Sequence, residues 1–507
     1  MMKLPGLTLL VALLGLTAAP SVSAEKLVIL HTNDTHSMID PDTDDLGGVV
    51  RRKVVIDSVR KAEKNVLLVD AGDFVQGTLY FNLYRGEVEQ KMMNELGYDI
   101  RILGNHEFDN GIYELADLLA DSRAEMLSTN YDLSQSVLGK RFRPFTIREF
   151  GDKQVGFIGI NLRPEGMISE GNYDGVVYLD AIKAANAAAW WLKNIEKVDA
   201  VVAITHIGYD PTMPPGDKRL AQLSEDIDVI IGGHSHDLIQ PSPEASARLQ
   251  PRVKNADGRE IQIGQLGKSG KYIGKIEIDL DNLATNYETI RIDKRLDGRA
   301  DRKLADMIKP YRRGVDSLMR VVIGKSAVEL PKGGERLLNF GADFVFERGR
   351  KLVGDVDLAI VNKGGLRRDL PKGDITEGMI ITLMPFYNYI NVLEIKGRDL
   401  LEAFNVMAAD GGNGVSDNVN IKYSKKDGEC VEVLINGQPL DLDRIYRLAT
   451  IDYLAKGGDY MSSLKRGKLI AKGDKVLYDD MIEEFRHGMF KGKTLNPSDQ
   501  PRMKNID

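Results

Sequence analysis

The stretch IRILGNHEFD at residues 100–109 decides the reading of this chain. A short strand-like run at 100–103 breaks off into Gly104-Asn105-His106-Glu107-Phe108-Asp109, a segment crowded with ligating and acid-base side chains. The same grammar recurs four more times. Residues 27–30 run into His31-Thr32-Asn33-Asp34-Thr35-His36, and 66–69 into Asp70-Ala71-Gly72-Asp73. Residues 200–204 run into Thr205-His206, and 229–231 into Gly232-Gly233-His234-Ser235-His236. Helical patterns at 47–64, 87–96, 113–120 and 181–197 lie between these runs, so the region reads as alternating strand and helix. In such sheets ligands gather beyond the carboxyl ends of the strands. That is where these Asp and His residues fall.

Working outward, a chain of 507 residues exceeds one hydrophobic core and implies two domains. Hydrophobic residues at 43% and charged residues at 28% describe an ordinary globular protein. A net charge of -7 argues against a binder of polymeric nucleic acid, while leaving room for a small anion in a local basic pocket. Residues 1–24 carry one Lys, an apolar run at 7–16 and Val22-Ser23-Ala24 before Glu25, the layout of a secretory signal peptide. That run is far shorter than the roughly 20 residues a bilayer requires, so no transmembrane span is expected in the mature protein. Cys430 is the only cysteine, which removes an internal disulfide and any lipid-carrying thiol near the leader. The expected product is periplasmic or secreted; its oligomeric state is left open.

Residues 301–320 are charged and helical in period, with Pro310 expected to bend or interrupt the helix. Beyond them strands at 358–361, 392–395 and 431–435 mix with helices at 339–350 and 398–407. Gly411-Gly412-Asn413-Gly414 reads as a mobile loop rather than a phosphate loop, because no Lys-Ser or Lys-Thr follows. Residues 267–270 read as a turn between strands.

Seven histidines occur, and five of them (His36, His106, His206, His234, His236) sit in the strand-end segments. A lone histidine is ordinarily a core or surface residue; five together point to metal ligation. With Asp34, Asp73 and Asn105 they form a nitrogen and oxygen donor set that suits Zn, Mn, Fe or Co better than Ca or Mg. A single catalytic zinc needs about three protein ligands. This chain supplies more, so two divalent ions are expected. Ions roughly 3.5–4 Å apart lower the pKa of a shared water and clamp phosphoryl oxygens.

The motifs Asp34-Thr35-His36, Gly72-Asp73, Gly104-Asn105-His106-Glu107, Thr205-His206 and Gly233-His234-Ser235-His236 resemble the calcineurin-like metallophosphoesterases. With the second half, the chain resembles the 5'-nucleotidase/UDP-sugar hydrolase family over nearly its entire mature length. The resemblance implies that Asp34, His36, Asp73 and His236 hold one ion, with Asp73 bridging, and that Asn105, His206 and His234 complete the second. Some relatives carry Gln where His236 stands, which leaves the identity of the first metal open. It also implies that His106 is no ligand but donates to the phosphoryl group or leaving oxygen, oriented by Asp109. A carboxylate three residues along suits that task.

In the second half, Asn362-Lys363-Gly364-Gly365-Leu366-Arg367 resembles the family's substrate segment, with Asn362, Gly364 and Arg367 at the matching positions. Arg367 offers a planar fork for phosphate, and Lys363 is expected to add charge near the pocket. Arg336 matches a second substrate-binding arginine. Phe386 matches one base-stacking aromatic, and Tyr460, directly after Gly457-Gly458-Asp459, falls near the second. Here Asp459 runs straight into Tyr460 and no further Asp occurs until Asp474, a departure that points to loose base specificity.

The expected fold is α/β. An N-terminal two-sheet sandwich flanked by helices (25–300) is joined by a linker helix (301–320) to a C-terminal α+β substrate-binding domain (321–507). The resemblance implies a 5'-nucleotidase whose halves rotate about that helix. The alternatives are a 2',3'-cyclic-nucleotide phosphodiesterase with 3'-nucleotidase activity, a UDP-sugar hydrolase, or, in another class, a non-catalytic nucleotide-binding surface protein.

Overall fold

Strand Val66–Asp70 lies between Lys26–Thr32 and Ile100–Arg101, all three parallel, and this trio anchors the first sheet. The computed structural model describes residues 25–210, 215–241 and 248–507; the expected leader at 1–24 lies outside them. The first sheet has seven strands, with Tyr272–Asp279 antiparallel to Lys26–Thr32 at one side and Glu125–Leu127 continuing the other. A second sheet of six strands centres on Ala200–His206, parallel to both Lys153–Asn161 and Val229–Ile231. Strand periodicity explains why the sheets stack: alternate side chains point to opposite faces. Ile29 and Val69 enter a core shared with Val201, Ile204 and Ile230 of the second sheet. Their neighbours Leu30 and Leu68 face the other way, toward the helices.

One of those helices, Glu87–Leu96, shows why the sequence folds this way locally. Val88, Met92, Met93 and Leu96 form its buried stripe, and Glu87 and Glu89 occupy its first turn. Gly97 ends it at φ 72°, a left-handed cap that glycine adopts without strain. The arrangement is the expected two-sheet sandwich flanked by helices.

Helix Arg302–Met319 connects the halves, capped by Asp301, whose side chain accepts the Leu304 N–H at 3.1 Å. Of the bend or interruption expected at Pro310, the interruption does not occur: the helix runs through it. An internal proline costs about 3 kcal/mol. Burial at both ends offsets that: Leu304 and Ile308 pack on the N-terminal core, while Val315 and Leu318 pack on the C-terminal one.

The C-terminal half is α+β. Its five-stranded sheet runs in the order Gly414–Val415, Leu358–Val361, Ile445–Ile451, Tyr389–Lys396, Lys468–Val476, with helix Glu335–Val353 packed against it. The segment read as a mobile loop is built into this sheet: Gly414–Val415 pairs with Leu358–Val361, and Asn413 Oδ1 accepts the Lys363 N–H at 2.8 Å. Chain reversal by Gly411 and Gly412, both at positive φ, makes that pairing possible. Among the described residues no helix is long and apolar enough to cross a membrane.

Candidate active site

The strand-end loops carry an unusual backbone. Asp34, His36, Asp73, His234 and His236 all have positive φ, between 45° and 79°. Such conformations in non-glycine residues cost of order 1–3 kcal/mol each and persist only where surrounding structure imposes them. Here the loops impose them on one another. Asp34 N–H donates to Gly72 O at 2.9 Å, His36 N–H to Asp73 O at 3.0 Å, and Ser269 N–H to Asp34 O at 2.7 Å. Gly104 permits the closest approach: a Cβ there would lie 2.2 Å from Asp73 Oδ1 and 2.7 Å from His206 Nε2. Glu107 is the clamp. Its buried carboxylate accepts the N–H groups of Asp73 at 3.1 Å and Phe74 at 2.8 Å, and that of Gly104 as well. Burial, reinforced by the charge of Asp73, pushes its pKa up to about 7.

Two ligand groups share Asp73. In the first, His36 Nε2 lies 2.9 Å from His236 Nε2, 3.8 Å from Asp34 Oδ1 and 4.0 Å from Asp73 Oδ2, while His236 Nε2 is 3.3 Å from Asp34 Oδ1. In the second, His206 Nε2 stands 3.2 Å from Asp73 Oδ2, and His234 Nδ1 stands 3.1 Å from Asn105 Oδ1. His206 Nδ1–H donates to Ala71 O at 2.6 Å, which fixes the ring's orientation and leaves Nε2 facing inward. That nitrogen is fully buried with no hydrogen-bond partner. An orphaned imidazole nitrogen aimed at a carboxylate cluster fits a cation.

Burial lowers the His206 pKa, but Asp73 outweighs it and raises it to about 10, so His206 is held charged against that carboxylate until a cation takes the proton's place. Burial, and then His236, hold His36 well below the usual histidine value, and burial with His206 brings His234 to about 4. Both are neutral donors at physiological pH. Burial opposes ionisation of Asp73, but His206 and His106 outweigh it and hold that carboxyl well below its ordinary range.

Beside this nest, His106 Nδ1–H donates to Asp109 Oδ2 at 2.8 Å, and the His106 backbone N–H donates to Asp73 Oδ1 at 2.9 Å. Burial works against a charged His106, yet Asp109 and Asp73 prevail and raise its pKa above the ordinary value. The His106 ring stacks on Phe386 of the other half, centroids 5.8 Å apart and planes 24° from parallel. Arg367 lies over the same Phe386 ring at 5.7 Å and donates to Gln76 Oε1 at 3.3 Å. Between the halves opens a cavity of about 420 Å³. One wall holds Asp73, Asn105, His106, Asp109, His234 and His236; the other holds Asn362, Gly364, Arg367, Phe386, Tyr453 and Asp459. The halves touch directly around it, with Asn82 Nδ2 donating to Pro385 O at 2.7 Å and Asp459 N–H to Gly166 O at 2.9 Å.

Three sequence expectations are corrected. Arg336 is not at the cavity: it donates to Pro497 O at 2.6 Å and pairs with Asp499 at 2.7 Å, tying its helix to the C-terminal segment. Lys363 turns away to Asp410, 2.8 Å from its carboxylate. Tyr460 is outside the cavity lining and packs on Gly166, where an added Cβ would come within 2.8 Å of its ring. Positive φ at both Asp459 and Tyr460 turns the chain there and throws that ring outward.

Tyr453, not Tyr460, lines the cavity. Its hydroxyl lies 2.8 Å from Asp459 Oδ1, and Asn362 Nδ2 donates to Asp459 Oδ2 at 2.6 Å. Tyr453, Asp459 and Glu107 were not singled out from sequence. The signal for the first two was the Gly457-Gly458 turn, which folds Asp459 back onto a ring six positions earlier.

Comparison with known proteins places this geometry. Residues 27–238 match the calcineurin-like phosphoesterase family, and residues 322–466 match the 5'-nucleotidase C-terminal domain. The chain is 30% identical to 5'-nucleotidase of Mus musculus over 99% of this chain and 94% of that one. It is 27% identical to the trifunctional nucleotide phosphoesterase protein of Bacillus subtilis, over 95% of this chain and 35% of that longer one. The crystal structure of a 5'-nucleotidase precursor from Thermus thermophilus superposes with a TM-score of 0.83 at 30% identity, covering 95% of this chain and 99% of that one.

Proposed function

The chain belongs to the 5'-nucleotidase family of phosphoesterases, and from that premise we propose that it releases phosphate from nucleoside 5'-monophosphates outside the cytoplasm. The carrying observation is the single cavity that joins a metal-ligating nest to an arginine and two aromatic rings from the opposite half. Asp34, His36, Asp73 and His236 would hold one divalent cation, and Asp73, Asn105, His206 and His234 a second; Zn, Mn, Fe and Co all suit this donor set. Such ions supply a water ionised near neutral pH and neutralise phosphoryl oxygens.

The remaining roles fall to this chain's own side chains. Arg367 pairs with the phosphate through its fork. His106, held by Asp109, delivers a proton to the phosphoryl group or the leaving oxygen. Phe386 and Tyr453 flank the base, at about 1–3 kcal/mol per stacked face. Asn362 and Gly364 shape the wall beneath, Asn362 by fixing Asp459. Units at 25–300, 301–320 and 321–507, preceded by a leader at 1–24, complete the proposal.

Cyclic nucleotides, 3'-nucleotides and UDP-sugars would meet the same metal nest, and the likeness to the Bacillus protein keeps them in the test. A non-catalytic nucleotide binder is disfavoured by the intact His106–Asp109 pair at 2.8 Å. The experiment is a substrate panel of AMP, 3'-AMP, 2',3'-cyclic AMP and UDP-glucose after chelation and stepwise return of each metal. AMP should give the highest kcat/KM. His106→Asn should lower turnover by about 10²–10⁴ while metal content persists. No phosphate from AMP under any metal rejects the activity, and metal loss in His106→Asn makes that residue a ligand.

A further inference from the structure

Four cations converge beside the metal nest, and only one of them is used above. Arg367 and Arg368 arrive together from the C-terminal half. Leu330 and Leu370 form an antiparallel bridge, with N–H to O distances of 2.9 and 3.0 Å, so Lys332 and Arg368 lie on the same side of it, each two residues out along its own strand. Arg368 crosses to the N-terminal half, donating to Gly77 O at 3.2 Å. Lys268 meets them from that half. Its backbone is pinned by Asn33 Nδ2, which donates to Gly267 O at 3.0 Å, and by the Ser269 N–H on Asp34 O.

Among the described residues none of these four side chains makes an ion pair, and neither lysine head finds an acceptor. The lysine heads instead face each other, with Arg367 and Arg368 beside them. Lost solvation, followed by Lys268 and Arg367, brings Lys332 down to about 8. Asp42 and Asp369 face Arg368 and Asp34 faces Lys268, yet the two lysine heads still meet one another, a repulsion that an anion between them would relieve. Lys268, Lys332 and Arg368 do not line the nucleotide cavity, whereas Arg367 borders both places.

We propose that Lys268, Lys332 and Arg368 form a second oxyanion site that takes inorganic phosphate, the product of the reaction, and holds it across the junction of the two halves. Arginine and lysine heads from two directions match a phosphate, which carries up to about two negative charges and several acceptor oxygens. Calling the ligand product rests on the phosphatase reading; the site itself rests on the cluster. Because Lys268 comes from one half and Lys332 and Arg368 from the other, occupancy favours the closed arrangement.

Equilibrium dialysis of the metal-loaded chain against radiolabelled inorganic phosphate tests this. The wild type should retain two phosphates per chain, one at the metal nest and one at the cluster. Lys332→Gln/Arg368→Gln should retain one, and Lys268→Gln, from the opposite half, should do the same. Lys332→Arg should keep both. AMP turnover at saturation in these variants should stay within about threefold of wild type, because none of these side chains lines the nucleotide cavity or touches the reacting atoms. One phosphate in the wild type, or two in the double variant, overturns the site. If the variants bind phosphate normally but lose discrimination between AMP and ADP, the cluster serves a substrate's second phosphate and the assignment to free phosphate is wrong. A chain that ignores AMP yet binds two phosphates removes the nucleotidase reading and leaves the site standing.

Discussion

Glu107→Gln isolates the clamp that holds two ligand-bearing loops together. The carboxylate accepts three backbone N–H groups, from Asp73, Phe74 and Gly104, and is 3% exposed. Glutamine keeps the shape but has one acceptor end. Its oxygen does best in the Oε2 position, where it retains the Asp73 and Gly104 bonds; its NH₂ then faces the Phe74 N–H. One buried backbone donor and one amide donor lose their acceptors, at about 1–3 kcal/mol each. Relaxation of the loops recovers part of this, leaving roughly 2 kcal/mol. At about 1.4 kcal/mol per tenfold, that is a factor of about 30 in metal retention. Loss of an outer partner of a metal ligand ordinarily falls within 10–100-fold, in agreement. The assay is metal content after dialysis against graded chelator, read beside a melting curve with and without added metal. Added metal should restore turnover in Glu107→Gln. Chelator sensitivity equal to wild type, with an unchanged melting temperature, would refute the clamp.

The two tyrosines should separate cleanly. Tyr453→Ala should raise KM for AMP by about tenfold or more, the worth of one stacked base face, while Tyr460→Ala should leave KM near wild type; the reverse ranking would restore the sequence reading. Glu89 is buried with both carboxylate oxygens unpartnered, and burial raises its pKa from 4.5 to about 7. The folded state therefore binds more protons than the unfolded one between those values, so stability falls as pH rises through that window. Glu89→Gln should raise the melting temperature at pH 8 by several degrees, equivalent to at most about 3 kcal/mol, and change it little at pH 4. An equal shift at both pH values would mean the effect is packing rather than ionisation.

Much of the metal nest was legible in the sequence because its logic is local. A strand that ends abruptly in Asp-x-His or Gly-Asn-His must present those side chains at a sheet edge, and Val69, Ile204 and Ile231 end their strands beside Asp73, His206 and His234. Alternation along each strand likewise fixed which faces are apolar, and so the two-sheet layering. What only the folded molecule decided depends on distant segments meeting. Asp73 joins the two histidine groups because residues 36 and 206 approach it from different loops. Tyr453 lines the cavity and Tyr460 does not, because two consecutive positive φ angles turn the chain after Gly458. Arg336 serves the C-terminal segment because Pro497 and Asp499 return to its helix, more than a hundred residues on. Local pattern records which residue types a site needs; which copy reaches it is set by backbone turns and by long-range packing, and neither leaves a spacing to read.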